Sequence, residues 1–204
     1  MTPVHLFDDR RLVVSPWSRG NPKLGEEGMY TFSLMPVETC PGASDLCKSI
    51  CYARRAALNP FLRALWEANA QLTALPPPPA DCHFIRLHVS GDFPTTAYVD
   101  MWTAFAASHP TLIIYTYTRS WRIPALLPAL ERLRALPNVQ LFASTDESIT
   151  ETPPEGWRVS WIEGDPRVRE HTFVCAAERG VKPDCLACGY CFCGTHGDVV
   201  FLKH

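Results

Sequence analysis

The chain has 204 residues, of which 20% are charged and 47% are hydrophobic, and its formal net charge is −2. This is enough apolar material for one globular domain with a core of its own. No apolar run approaches the roughly 18 residues of a membrane-spanning helix, and the first residues lack an apolar stretch of signal-peptide length. We therefore expect a cytoplasmic protein without a membrane partner, and the near-neutral charge argues against a generally basic nucleic-acid binder.

Strands and helices are predicted to alternate along most of the chain. We expect one domain, made of an irregular arm (1–28), an α/β core (29–175) and a cysteine-rich C-terminal segment (176–204). β-branched and aromatic composition predicts strands at residues 29–36, 83–89, 111–118, 139–143, 157–162, 172–175 and 199–202. Apolar residues at three- and four-residue steps predict helices at residues 46–75, 95–108 and 123–136.

This alternation predicts an α/β fold with a parallel sheet and right-handed crossovers. We expect an incomplete (β/α) barrel of about six mainly parallel strands, with a cysteine-rich C-terminal loop. An open doubly wound sheet is the alternative, whereas a complete eight-stranded barrel usually needs about 250 residues. In both architectures ligands bind at the carboxyl ends of the strands, so the loops there are expected to carry the function.

The nine cysteines are the most informative residues, because thiols in a reducing compartment are more often metal ligands than disulfides. Eight of them fall into two groups. The first cysteine group follows the first predicted core strand and consists of Cys40, Cys47 and Cys51. The second cysteine group consists of Cys175, Cys185, Cys188, Cys191 and Cys193. Cys82 stands alone and is expected to be a small buried hydrophobe.

The spacing within both groups favours iron–sulfur clusters. The C-x2-C-x2-C run of the second group is similar to the loop that wraps a 4Fe–4S cube in bacterial ferredoxins. Cys47 and Cys51 are one helical turn apart, so both side chains can point to one side. Zinc is the alternative metal, although structural zinc sites usually pair two C-x2-C knuckles or combine one with histidines.

The number of cysteines predicts different roles for the two groups. Three thiolates in the first group would leave one iron of a cube open to a substrate, a cofactor or another side chain. Four in the second group would saturate a cube, with Cys193 either spare or replacing Cys175. A single cluster that takes ligands from both ends of the chain is a further arrangement.

Polar side chains follow the next three predicted strands. The segments HVSGDF, TYTRS and ASTDES contain Asp92, Arg119 and Asp146. Asp92 can accept a hydrogen bond from a ligand amine, and Arg119 can hold a carboxylate or phosphate with its planar guanidinium. We take these three as candidate catalytic residues beside the first cysteine group. The alternative is that such residues cap the following helices, as Ser, Thr and Asp often do.

The first predicted helix is locally basic, because it contains Arg54, Arg55 and Arg63 with Lys48 nearby. A solvated helix face explains such a pattern, and contact with a nucleic acid is the functional alternative.

Taken together, the motifs resemble the phage gene product 88 family over about residues 28–195. The matching segments are CPGAS with the cysteines that follow it, HVSGDF with Tyr98 and Trp102 downstream, YTYTRS and the terminal cysteine run. The family carries no settled function over to this chain, so the resemblance strengthens the importance of the cysteines without naming an activity.

More distantly, the arrangement is similar to radical SAM enzymes, in which a three-cysteine loop binds a 4Fe–4S cube whose open iron holds S-adenosylmethionine. This resemblance implies that the first cysteine group binds such a cube. It also implies that Ser90, Gly91 and Asp92 hold the amino group of S-adenosylmethionine.

Three functions agree with these patterns. The first is an iron–sulfur enzyme that delivers electrons to a small-molecule substrate or activates it at an open iron. The second is a non-catalytic iron–sulfur redox or sensor protein, with an electron donor or nucleic acid as its partner. The third is a zinc-stabilised interaction module.

Overall fold

The computed structural model of the chain describes residues 5–6, 12–13, 15–194 and 196–203. The strands in these ranges are β1 His5–Leu6, β2 Leu12–Val13, β3 Ser18–Arg19, β4 Met29–Phe32, β5 Phe84–Leu87, β6 Ile113–Thr118, β7 Val139–Ser144, β8 Arg158–Ile162, β9 Phe173–Val174 and β10 Val199–Phe201. The helices are α1 Asp45–Ser49, α2 Ala53–Ala56, α3 Pro60–Ala70, α4 Thr96–Ser108, α5 Leu127–Arg134 and α6 Cys185–Cys188. None of these helices is both long and apolar enough to cross a membrane.

Eight strands form one sheet in the order β3-β4-β5-β6-β7-β8-β10-β9. β3 runs antiparallel to β4, and all other neighbouring pairs are parallel. The predicted α/β class and mainly parallel sheet are therefore confirmed. The described strands do not close into a barrel, since β3 and β9 are unpaired edges. The order also lacks the reversal that defines a doubly wound sheet.

Side chains alternate between the two faces of the sheet, as the strand repeat requires. One face, here called the helix face, places Ile85, Ile114 and Leu141 in the largest buried cluster with α4 and α5. The opposite face, here called the cysteine face, carries Met29 and Tyr115 and is partly covered by residues of the C-terminal segment. Three cysteines of the second group, Cys175, Cys185 and Cys191, therefore lie across the sheet from the main core.

Helix α4 is the element that the sequence predicted best. Its N-cap is Thr95, whose side chain accepts a hydrogen bond from the backbone N of Tyr98 at 3.2 Å. Its buried residues recur at the three- and four-residue steps that predict this helix: Tyr98, Val99, Trp102, Phe105 and Ala106. A start signal and a consistent apolar period agree here, and both describe local preferences that tertiary packing reinforces.

Residues 46–75 are mostly helical, as predicted, but they form three helices, α1, α2 and α3, and not one continuous helix. Asn59 begins α3 as its N-cap and Pro60 occupies the first turn, so the chain restarts a helix there. Phe61, which the apolar period placed on a buried stripe, has 85% of its surface exposed. The helix predicted over 123–136 is also shorter, and a 3₁₀ turn over Ser120–Arg122 precedes it.

Residues 1–28, which we predict to form an irregular arm, contain the short strands β1, β2 and β3. β1 pairs with β2, β3 pairs with β4 of the core, and Trp17 is buried in the core. Two-residue strands leave almost no periodic signal, which is why the sequence did not reveal them. The described residues leave out parts of the predicted arm, residues 1–4, 7–11 and 14, and parts of the C-terminal segment, residues 195 and 204.

Candidate metal centre and cavity

A cavity of about 610 Å³ lies on the cysteine face. Six cysteines line it, two from the first group and four from the second: Cys47, Cys51, Cys175, Cys185, Cys188 and Cys191. The first group reaches it from the loop after β4, and the second from the segment that follows β9. The fold thus brings two groups that are remote in sequence to one concave site.

Helix α1 positions Cys47 in the first cysteine group. Ser44 caps α1, since its Oγ accepts a hydrogen bond from the backbone N of Cys47 at 2.9 Å. Cys40 precedes this helix and is not a lining residue of the cavity. Burial and the charge of Asp92 are the largest causes that raise the pKa of the Cys40 thiol. The charges of Cys47 and Cys51 raise this pKa as well, which requires that the three thiols lie close together. The three predicted ligands are therefore neighbours.

The second cysteine group is held by a single helical turn in what was predicted to be a loop. Asp184 caps α6, and Gly189 ends it with a φ of 71°, a left-handed conformation that favours glycine. The backbone N of Cys185 donates to the carbonyl O of Lys23 at 2.9 Å. Lys23 lies in the connection between β3 and β4. The C-terminal segment therefore runs from β9 at one edge of the sheet to the β3–β4 connection at the opposite edge.

Arg158 of β8 fixes the backbone after α6. Its guanidinium donates to the carbonyl oxygens of Tyr190 at 3.1 Å and Cys191 at 3.2 Å. It also lies 4.1 Å from the ring centroid of Phe142. Tyr190 stacks in turn on Phe173, with ring centroids 3.7 Å apart. These contacts restrain the position of Cys191 at the cavity.

Besides Cys40, two further cysteines lie outside the cavity lining, Cys82 and Cys193. Cys193 is exposed, so the arrangement in which it is spare fits the geometry better than the one in which it replaces Cys175. Cys82 is buried in the helix-face core, with its Sγ 3.7 Å from the carbonyl O of Phe84. That placement agrees with the expected small buried hydrophobe.

Burial favours the protonated thiol at five of the predicted ligands, because it raises the pKa values of Cys40, Cys47, Cys175, Cys185 and Cys191. It is the largest cause that raises the pKa of Cys40 to about 12 and that of Cys191 to about 11. Burial also raises the pKa of Cys47, where the charge of Arg119 acts in the opposite direction. Because a thiol must lose its proton to bind a metal, cluster assembly here would release protons.

Arg119 and Asp146 form a buried ion pair beside the first cysteine group. The Nη1–Oδ2 distance is 2.5 Å, and the two side chains are 10% and 0% exposed. Asp146 also accepts a hydrogen bond from the Oγ of Ser44 at 2.7 Å. Arg119 lines the cavity and Asp146 does not. The contacts therefore favour a ligand-binding role for Arg119 and a positioning role for Asp146.

Ser90, Gly91 and Asp92 are engaged inside the protein and do not line the cavity. Asp92 accepts hydrogen bonds from the Oγ1 of Thr118 at 2.5 Å and from the backbone N of Arg119 at 2.8 Å. The Oγ of Ser90 donates to the carbonyl O of Leu34 at 2.9 Å. These contacts favour the alternative that the segment organises its loops, because its polar atoms already have partners.

Sequence reasoning missed Arg86, which lines the cavity from the middle of β5. Its guanidinium carbon lies 4.2 Å from the ring centroid of Tyr117 and 5.5 Å from that of Tyr115. Among the described residues it forms no ion pair. A lone charged residue in the apolar strand FIRL was the available signal, since alternation places it on the face opposite Ile85 and Leu87.

No three described His, Cys, Asp or Glu side chains converge as ligands of a single metal ion would. The chain's fold and site define an α/β protein with an open, mainly parallel sheet and a cavity lined by cysteines and cationic side chains.

Residues 15–192 match the family described as "Gene product 88", so the chain belongs to the gene product 88 family. The resemblance to that phage family is thereby confirmed. No curated protein and no solved structure matches the chain. The resemblance to radical SAM enzymes receives no support from these comparisons.

We expect Gly42→Ala to displace the loop that carries the first cysteine group. A Cβ at this position would overlap the backbone oxygen of Arg119, so the loop or the end of β6 must move. The expected loss is about 3 kcal/mol of unfolding free energy, measured by urea denaturation. Gly197→Ala is the control, since its Cβ would meet nothing closer than 3.9 Å. Equal unfolding free energies for Gly42→Ala and Gly197→Ala would contradict the close approach of Gly42 to the backbone of Arg119.

Proposed function

We propose that the protein binds two 4Fe–4S clusters, one at each cysteine group, and that the cavity between them is the functional site. The first cluster would be held by Cys40, Cys47 and Cys51. The second would be held by Cys175, Cys185, Cys188 and Cys191. The observation that carries this proposal is that six of these seven thiols line one cavity.

The charge of the cavity supports the proposal. Its lining includes the cationic side chains of Lys23, Arg86, Arg119 and Lys203. Among the described residues, Arg86 has no carboxylate partner, so its charge is available to a bound anion. The other three cations pair with carboxylates, Lys23 with Glu178, Arg119 with Asp146 and Lys203 with Glu147. Thiolate-ligated clusters are anionic, and nearby cations stabilise such charge in a partly desolvated site.

The spacing of the second cysteine group favours a cluster over zinc, because its C-x2-C-x2-C run is similar to the cluster loop of bacterial ferredoxins and is not a pair of zinc knuckles. Thiolates that hold a cube bind at separate corners, whereas the ligands of one zinc ion converge at about 2.3 Å from it. A zinc-stabilised module remains the second candidate and is distinguished by metal analysis. We also interpret the strand order, which is consecutive from β3 to β8, as that of an incomplete (β/α) barrel.

A three-cysteine first site supports an enzyme-type function rather than electron storage alone. A bound cluster with an open iron would supply electron transfer or Lewis-acid activation at the cavity. Arg119 lies beside Cys47 and can hold a carboxylate or phosphate of a small-molecule ligand. S-adenosylmethionine is one candidate because it carries such a carboxylate. A non-catalytic redox or sensor protein is the alternative if no ligand binds.

Metal analysis of anaerobically purified protein tests the cluster assignment. We expect about eight irons and eight sulfides per chain, with a broad absorption band near ~400 nm. A colourless protein that contains only zinc would overturn the proposal and favour the interaction module.

Cysteine variants test the partition into two sites. Cys47→Ala and Cys185→Ala should each retain about four irons, because each removes a ligand of one cube only. Cys193→Ala and Cys82→Ala are matched controls and should keep the wild-type iron content, since neither residue lines the cavity. Complete loss of iron in both Cys47→Ala and Cys185→Ala would show instead one cluster with ligands from both groups.

A further inference from the structure

The exposed large hydrophobic side chains of the described residues are concentrated around and just after Cys51. Five large hydrophobic side chains are exposed among the described residues, and four of them lie within residues 50–61: Ile50, Tyr52, Leu58 and Phe61. Leu58 and Phe61 are 81% and 85% exposed. Single exposed apolar residues are common, but a concentration of them indicates an interaction site. We call residues 50–61 the docking segment.

The docking segment is anchored to the body by few buried side chains. Helix α1 has no buried residue, and α2 buries only Ala53. In α3, which begins within the segment, the buried residues are Trp66 and Asn69. The outer face of the segment therefore belongs to neither of the two apolar faces that the sheet provides.

The charge of the segment specifies the sign of its partner. Lys48 pairs with Asp45 at 3.4 Å, and Arg63 pairs with Glu67 at 2.7 Å. Arg54 and Arg55 are exposed and form no ion pair with any described residue. Two uncompensated positive charges beside an apolar patch complement a surface that carries carboxylates next to apolar side chains.

The position of the segment connects that surface with the first cysteine group. Tyr52 follows Cys51 directly, and both residues line the cavity. The Tyr52 hydroxyl donates to the carbonyl O of Val89 at 2.6 Å, which holds the ring at the end of β5. A partner seated on residues 50–61 would therefore lie against the wall of the cavity that Cys47 and Cys51 form.

We propose that the docking segment binds an acidic one-electron carrier protein that reduces the first cluster. This inference rests on the proposed function. The reduced carrier gives up one electron and becomes oxidised, and the cluster gains that electron without any bond or proton changing place. Ile50 and Leu58 favour a protein partner over a nucleic acid, because bases stack on aromatic rings and gain little from aliphatic side chains.

Electron transfer to the cluster-loaded protein tests the proposal, with a reduced, acidic plant-type ferredoxin as the probe. We expect Arg54→Glu/Arg55→Glu to slow cluster reduction at least ~10-fold at low salt, because like charges then face each other. Arg169→Glu/Arg179→Glu is the matched control with the same change in net charge, since both residues are exposed and form no ion pair with any described residue. Leu58→Ser/Phe61→Ser should slow reduction as well, but without altering its salt dependence.

The outcomes separate this proposal from the one on which it rests. Dithionite should reduce the clusters of all variants equally, and failure to reduce them in the wild type would contradict the proposed function itself. Equal rates with ferredoxin in wild type and Arg54→Glu/Arg55→Glu would overturn the docking proposal. It would also be overturned if that variant lost single-stranded nucleic-acid binding, or self-association, while its electron transfer stayed unchanged.

Discussion

Asp146→Ala is expected to lower the unfolding free energy by about 3–5 kcal/mol, because it leaves the Arg119 guanidinium buried without its carboxylate. The same change removes the acceptor for the Ser44 hydroxyl, which caps the helix that carries Cys47. Iron content at the first cysteine group should therefore fall together with stability. Urea denaturation and iron analysis of the variant measure the two effects separately.

The pH dependence of that difference gives a second test. Burial acts to raise the pKa of Asp146, but hydrogen bonds from Ser148 and Ser44 and the charge of Arg119 outweigh it and lower the pKa below 3.8. A depressed folded pKa contributes stability above the unfolded value and loses it as pH falls through the folded one. The gap between wild type and Asp146→Ala should therefore narrow below about pH 4.

Asp100→Ala is the matched control for the loss of a carboxylate. Asp100 pairs with Arg132 at 2.7 Å, but the two side chains are 50% and 55% exposed. An exposed pair contributes at most about 1 kcal/mol, so this variant should unfold almost like the wild type. A loss as large in Asp100→Ala as in Asp146→Ala would contradict the importance of burial.

Trp102→Ala is expected to cost about 3–5 kcal/mol, the range for removing a large aromatic side chain from a core. Trp102 has no exposed surface and is the centre of an aromatic cluster on the helix face. Its ring centroid lies 5.1 Å from that of Phe32 and 5.5 Å from that of Phe105, in edge-to-face arrangements. Its loss would leave a cavity between α4 and the sheet.

Phe61→Ala is the control for aromatic truncation, since Phe61 is 85% exposed. Its unfolding free energy should stay within about 0.5 kcal/mol of the wild type. Thermal or urea unfolding of the two variants compares the removal of a buried aromatic side chain with the removal of an exposed one. A large loss in Phe61→Ala would mean that the docking segment is covered in solution, which would also weaken the docking proposal.

Strand and helix positions were predictable where one period extends over a whole element. Six of the seven parallel strands of the sheet fall within predicted ranges, as does α4, and β7 exceeds its range by one residue. The stretch from 46 to 75 was not predictable in this way. A helical apolar pattern persists there, but Asn59 and Pro60 restart the helix. A helical apolar pattern indicates which residues could lie on one face of a helix. It does not indicate whether that face packs against the core.

The candidate site was predictable at the level of residue types. Strand-end placement correctly directed attention to Arg119, which lines the cavity. It also selected Asp92 and Asp146, whose carboxylates serve neighbouring backbone and hydroxyl groups. A sequence shows that an acidic residue follows a strand, but not whether its oxygens already have partners. Only packing distinguishes a cap from a ligand.

By itself, the sequence determined an α/β protein with a mainly parallel sheet and two cysteine groups, because local periodicity and cysteine spacing are encoded over short stretches of chain. Only the tertiary structure decided that both groups share one cavity. That meeting depends on the C-terminal segment crossing the sheet from β9 to Lys23, a contact between residues remote in sequence. The tertiary structure also decided that Arg86 faces the cysteines and that Cys193 does not, since these facts depend on strand register and on turns of the chain.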